Sequence, residues 1–164
     1  MYKLAMRWGL ITGVLSFAWL IGEFIFGLHT THVRLHPYIT NFAMLIPIVC
    51  SVIATKQIRT QVFQGSATFK ELLRHGLAIA VIATACGIAG QLIYHLLVNP
   101  NYFTYMIDVS KQIALEKKED LTKAENFAKD YFTLKNYLAQ IFFGGLVIGT
   151  LLAVIMAAIF KNKK

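Results

Sequence analysis

The sequence predicts an all-α integral membrane protein: a four-helix bundle with an extracytoplasmic helical hairpin between the third and fourth transmembrane helices. Hydrophobic residues make up 57% of the 164 residues and charged residues only 15%. The mean hydropathy of +0.58 is well above that of ordinary soluble domains. Because the apolar runs leave no room for a separate soluble unit, residues 1–164 are predicted to form one membrane domain.

Four apolar runs are long enough to cross a bilayer, whose core of about 30 Å requires roughly 20 residues of helix. The first contains one charged residue, Glu23, and the second contains Pro47, which predicts a kink. The first run also exceeds the apolar segment of a signal peptide, and no A-x-A-like cleavage site follows it, so we favour a transmembrane helix. The predicted spans cover about residues 8–28, 38–55, 76–98 and 137–160.

The segment between the third and fourth spans alternates apolar and charged residues with a helical period. It predicts an outer helical hairpin at about residues 102–135, which begins shortly after Asn99-Pro100. Thr122 and Glu125 have the spacing of a capping box, so the second outer helix is expected to begin near Lys123.

Basic residues predict how the chain is oriented in the membrane. They concentrate before the first span, between the second and third spans, and after the fourth, which places both termini on the cytoplasmic side by the positive-inside rule. The net charge of +8 therefore reflects loop topology, and nothing else supports nucleic-acid binding. The basic residues are Lys3, Arg7, Lys56, Arg59, Lys70, Arg74, Lys161, Lys163 and Lys164.

Small residues recur every four positions on the first and fourth spans, a pattern that lets helix backbones approach closely in lipid. Packing within one bundle is the favoured interpretation, and a homodimer interface stays open as the alternative. The residues concerned are Gly9, Gly13, Gly145, Gly149, Ala153 and Ala157.

Polar residues from all four spans are predicted to meet in the outer half of the membrane, around Glu23. An acid inside a membrane usually faces the protein interior or water, because insertion of its charge into lipid is costly. Three interpretations compete: a structural network with Glu23 paired to His95 or Arg34, a pocket for a ligand or partner segment, and a proton or metal site. The candidates are Glu23, Asn41, Gln91, His95 and Gln140.

Three loop histidines, His29, His32 and His36, have spacings of three and four residues that would align them on one helical face. Imidazoles bind zinc and copper, so a metal site is chemically feasible. Because Pro37 and the short loop oppose a continuous helix there, we favour solvated histidines, and we expect no cofactor. No catalytic motif is present in the sequence either, so the chain is not expected to be an enzyme.

Three segments and the last span carry a family resemblance. Residues 8–16 (WGLITGVLS), 69–76 (FKELLRHG) and 99–103 (NPNYF), with the glycine-rich last span that ends in lysines, resemble the bacterial membrane family called domain of unknown function 4199. The resemblance implies a four-helix protein of the inner membrane of Gram-negative bacteria, with no established catalytic residues to carry over.

Two functional hypotheses follow. The first is a non-enzymatic accessory or scaffold protein whose outer face binds a partner protein or a lipid-linked ligand. The alternative is a small proton- or cation-responsive transporter or channel subunit that uses Glu23. The expected partners are the lipid bilayer and either another membrane protein or a second copy of the chain.

Overall fold

The computed structural model describes residues 2–162. These residues contain helices and no strand, which confirms the all-α class. The helices are α1 (Lys3–Ile25), α2 (Val33–Val62), α3 (Phe69–Val98), α4 (Tyr102–Lys117), α5 (Leu121–Tyr131) and α6 (Leu134–Phe160).

Four of these helices, α1, α2, α3 and α6, are long and apolar enough to cross a membrane. Their outer surfaces expose large apolar side chains such as Val14, Phe143 and Ile159, which suits lipid rather than water. All four begin before the predicted spans, because hydropathy detects only the apolar part of a helix. In contrast, α1 ends at Ile25, three residues before the predicted boundary.

The second span is irregular at its beginning. Thr40–Met44 forms a 3₁₀ turn, and regular α-helix follows at Leu45–Gln57. Pro47 therefore lies in the first turn of the regular segment, where its missing N–H removes no needed hydrogen bond. The sequence predicted a kink at Pro47 in the middle of the span; in the structure, a 3₁₀ turn precedes the regular α-helix instead.

Helix capping differs from the prediction. The capping box in the structure joins Thr68 and Glu71 at the beginning of α3, where the Thr68 N–H donates to Glu71 Oε2 at 2.8 Å. The capping box expected at Thr122 and Glu125 is wrong: Asp120 caps α5, accepting from the N–H of Thr122 at 3.0 Å. Asp120 has an extended backbone and the carboxylate that N-caps favour, so the helix begins earlier.

An ion-pair cluster joins the helices α4 and α5. The carboxylate of Glu125 lies 3.1 Å from Lys111 Nζ on α4 and 2.8 Å from Lys129 Nζ on α5. Lys129 and Lys111 together hold the pKa of Glu125 below its usual value.

Helix α5 is not continuous with α6. The helical conformation ends at Tyr131, and Thr133 caps the beginning of α6.

Helix α3 is the centre of the bundle and packs most extensively against α6 and α1. The small residues predicted for helix packing face it. A Cβ at Gly13 would lie 2.2 Å from Cys86 Cβ, and a Cβ at Gly149 would lie 2.5 Å from Ala80 Cβ. The stripes therefore serve contacts within one chain, where glycine lets the backbones approach. The other close pairs are Gly9 with Ile82, Gly145 with Thr84, and Ala153 with Gly76.

The most buried apolar cluster lies at the end of the bundle opposite α4 and α5. It joins the beginnings of α1 and α3 to the ends of α2 and α6. Buried polar residues such as Glu23, His29 and His95 lie at the other end of the bundle. Its buried members are Ala5, Ala54, Ile58, Ala67, Leu72, Ile79 and Ala157.

Two glycines on α6 provide a matched test of this packing. We expect Gly149→Ala to lower the free energy of unfolding by about 1–3 kcal/mol, because the new methyl group forces α3 and α6 apart. A Cβ at Gly144 meets nothing within 4 Å, so Gly144→Ala should be neutral or stabilise by up to about 1 kcal/mol through helix propensity. Unfolding in mixed detergent micelles, followed by circular dichroism, measures both, and equal stability of the two variants would contradict the packing.

Candidate functional site

Glu23 lies in the last turn of α1 and is buried, with 5% of its surface exposed. One turn earlier, Trp19 donates its Nε1–H to Glu23 Oε1 at 2.7 Å. The indole thus stabilises one carboxylate oxygen and leaves Oε2 for other groups. A buried acid needs such partners because an unpaired charge in this environment is costly.

A glycine turn brings the chain back to this carboxylate. Gly27 has a φ of +74°, and the N–H of Leu28 donates to the carbonyl of Glu23 at 2.9 Å while that of Gly27 donates to Phe24 at 3.0 Å. This is the Schellman arrangement, in which glycine adopts the left-handed conformation after the helix. The turn places His29, which is 2% exposed, beside Glu23.

Two histidines face the free oxygen of Glu23. The Nε2 atom of His29 lies 3.5 Å from Glu23 Oε2, and that of His36 lies 3.7 Å from the same oxygen. Their rings pack edge to face with centroids 4.9 Å apart. We call Glu23, His29 and His36 the triad; its three ligand atoms all lie within 4.8 Å of one another, a separation that one metal ion could bridge.

Tyr94 fixes the orientation of His29 from α3. Its hydroxyl forms a hydrogen bond with His29 Nδ1 and accepts another from Asn99 Nδ2 at 3.0 Å. Tyr94 is fully buried and lies where α3 widens into a π-helical turn, Tyr94–Val98. With Nδ1 held by Tyr94, the Nε2 atom of His29 must point toward Glu23.

His95 lies near the triad and does not pair with it. Neither ring nitrogen has a hydrogen-bond partner among the described residues, and neither lies within 4 Å of a carboxylate oxygen of Glu23. The ring stacks on Phe103 with centroids 4.4 Å apart. Beside it, Tyr102 of α4 is buried, and burial raises the pKa of its hydroxyl well above its usual value.

The other predicted residues lie apart from the triad. Asn41 is exposed and donates to the carbonyl of Pro37 at 2.7 Å, and Gln140 is exposed and accepts from Tyr131 at 3.4 Å. The Oε1 atom of Gln91 is buried and has no hydrogen-bond partner in the described part of the chain. Arg34, an expected partner of Glu23, pairs instead with Glu116 of α4.

His32 separates from the other two loop histidines. Its ring is exposed and contacts the hydroxyl of Thr31 at 3.2 Å. The three histidines therefore do not share a helical face, because the Gly27 turn replaces a continuous helix. Two of them reach Glu23, and the third lies outside the triad.

A groove of about 590 Å³ lies between α1 and α2, and Glu23 is one of its lining residues. Except for Glu23 and the Trp19 ring, its lining is aliphatic or aromatic hydrocarbon, a cysteine and a glycine. The groove walls are thus apolar except at Glu23 and Trp19. Its lining residues are Leu15, Ala18, Trp19, Gly22, Glu23, Phe26, Leu28, Ile39, Leu45, Ile46, Val49 and Cys50.

Sequence reasoning missed three residues of the site: Trp19, Tyr94 and Asn99. The signal for Trp19 was present, because it lies four residues before Glu23 and so on the same helical face. Tyr94 and Asn99 gave no such signal. Tyr94 contacts His29, and Asn99 contacts the Tyr94 hydroxyl. Both contacts depend on the π-helical turn and on how α1 and α3 pack.

Comparison with known proteins identifies a family. The model of the family described as "Protein of unknown function (DUF4199)" matches residues 7–162, nearly the whole chain, and confirms the resemblance seen in the sequence. No curated protein and no solved structure matches the chain.

The hydroxyl of Tyr94 should matter for stability. Tyr94→Phe leaves His29 and Asn99 without their shared partner, so we expect the free energy of unfolding to fall by about 1–3 kcal/mol. Tyr38→Phe is the control, because Tyr38 is 74% exposed and should change stability little. Unfolding in mixed micelles measures both variants, and equal losses would exclude a structural role for the Tyr94 hydroxyl.

Proposed function

Because the chain belongs to the DUF4199 family of proteins of unknown function, its role must be inferred from its own residues, and we propose a non-enzymatic membrane accessory protein that binds a lipid-linked ligand. The ligand's apolar chain lies in the groove between α1 and α2, and its polar head lies near Glu23. The observation that carries the proposal is the groove itself, whose walls are apolar except at Glu23 and Trp19.

The groove has the size and surroundings expected for a lipid chain. Its volume of about 590 Å³ lies within the range of small-molecule sites, about 300–1,000 Å³. It runs between two helices whose outer faces expose apolar residues such as Phe26 and Val49, so an occupant can enter from the bilayer. A water-soluble ligand would find almost no hydrogen-bonding group along these walls.

Glu23 supplies the selectivity. A lipid chain gains little free energy from leaving other lipid chains, because both environments are equally apolar. Discrimination must therefore come from the polar head, and Glu23 is the charged group of the groove lining that can contact it. Binding rather than catalysis is favoured because the groove walls offer only Glu23 and Trp19 as polar groups.

Gly22 allows the groove to be filled without disturbing the bundle. A Cβ at Gly22 meets nothing within 4 Å, so Gly22→Leu should fold normally and occupy part of the groove. We expect this variant to retain several-fold less co-purified lipid, measured by native mass spectrometry after gentle detergent extraction. Ala89→Leu, at an exposed position of α3 outside the groove, should retain as much lipid as the unmodified protein.

Two outcomes would count against this function. Equal lipid retention by the Gly22→Leu and Ala89→Leu variants would reject the groove as a binding site. A pH-dependent ion flux in proteoliposomes that Glu23→Gln abolishes would support a transporter or channel instead.

Within this proposal the protein lies in a bacterial inner membrane with both termini in the cytoplasm. The support is the basic residues around the ends of the helices, such as Arg7, Lys56 and Arg74, which favour the cytoplasmic side. The α4–α5 hairpin and the triad then lie toward the extracytoplasmic side.

Reporter fusions test this orientation. A phosphatase that folds only outside the cytoplasm should be active when fused after Asp120, in the turn between α4 and α5. The same enzyme fused after Gly65, in the turn between α2 and α3, should be inactive. The reverse pattern of activity would overturn the proposed orientation.

A further inference from the structure

We propose that Glu23, His29 and His36 bind one divalent transition-metal ion of the zinc class. This inference goes beyond lipid binding and does not depend on it. It rests on three ligand atoms that come from α1, the following loop and the beginning of α2, and that lie within 4.8 Å of one another.

The distances within the triad are close to those between the ligand atoms of one metal ion. The separations of 3.5 and 3.7 Å between the histidine nitrogens and Glu23 Oε2 exceed the 2.7–3.2 Å or so of N–H···O hydrogen bonds. Tetrahedral zinc, with bonds of about 2.0–2.1 Å, sets its ligand atoms about 3.3 Å apart. A small movement of these side chains would thus complete a metal site.

The ligand set fits this class of ion. Two imidazole nitrogens and one carboxylate oxygen are typical of zinc and of other divalent transition metals, whereas magnesium and calcium prefer oxygen ligands. Three protein ligands also leave a fourth position open for water or another ligand. The site would therefore hold an exchangeable or reactive ion rather than a closed structural one.

Hydrogen bonds from neighbouring residues orient two of the three ligands, Glu23 and His29. Trp19 holds Glu23 Oε1, which leaves Oε2 facing the histidines. The Tyr94 hydroxyl holds Nδ1 of His29, and Asn99 donates to that hydroxyl. Such outer contacts set the tautomer and orientation of metal ligands.

Access to the site is through His36. Glu23 and His29 have side chains that are 4% and 2% exposed, whereas that of His36 is 22% exposed. An ion can therefore reach the triad from the loop side and become shielded once the buried ligands bind it. His32, three residues from His29, is exposed and outside the triad, so it serves as a matched control.

Metal titration of the purified full chain tests the site. The protein is prepared in detergent with its affinity tag removed, and Zn²⁺ is titrated against a chromophoric chelator. We expect one Zn²⁺ per chain with micromolar or tighter affinity. Co²⁺ should give the intense visible absorption of a four-coordinate ion, a signature that scattered surface histidines would not produce.

Substitutions assign the ligands. His36→Ala, at the accessible edge of the triad, should keep the fold and weaken Zn²⁺ binding at least tenfold. Glu23→Gln and His29→Ala should have the same effect, and Tyr94→Phe should weaken binding by about 10–100-fold through its contact with His29. His32→Ala should bind Zn²⁺ like the unmodified protein, and circular dichroism confirms that each variant is folded.

Two results would overturn the metal site. One is the absence of Zn²⁺ binding by the unmodified protein across the micromolar range. The other is unchanged affinity in folded His36→Ala and Glu23→Gln proteins, which would place the bound ion elsewhere on the chain. A loss of affinity in His32→Ala equal to that in His36→Ala would likewise reject the triad as the ligand set.

Discussion

A carboxylate held inside a helix that is apolar enough to span a membrane is the constraint on which this end of the molecule depends. Apolar surroundings offer no partner to Glu23, so the protein must surround it. Its neighbours are the indole of Trp19 on the same helix, His29 after the Gly27 turn, and His36 at the beginning of α2. The path of the loop between α1 and α2 follows from this requirement.

The position of α3 provides the remaining support. Because glycines at positions 9, 13, 145 and 149 let α1 and α6 approach it closely, α3 cannot shift without opening the bundle. Its π-helical end then presents Tyr94 to His29. Close packing at the centre of the bundle and polar contacts at its end are thus parts of one arrangement, in which the small residues set where the hydroxyl lies.

Hydropathy and four-residue spacing predicted the four long helices and the small residues between them, because lipid imposes both patterns directly on the sequence. The direction in which a polar side chain points was not predictable: Asn41 and Gln140 are exposed and bond to groups other than Glu23. The pairing of Glu23 with His29 and His36 required the conformation of Gly27, and the prediction from the sequence missed it because it favoured solvated loop histidines.

The α4–α5 hairpin is joined to the same loop that carries the histidines. Tyr105 donates to the carbonyl of Thr30 at 2.6 Å, and Glu116 pairs with Arg34, so α4 holds the loop at two points between His29 and His36. The same helix packs on the end of α3, where Phe103 stacks on His95. A displacement of α4 would therefore act on the loop between the two histidines and on the end of α3 together.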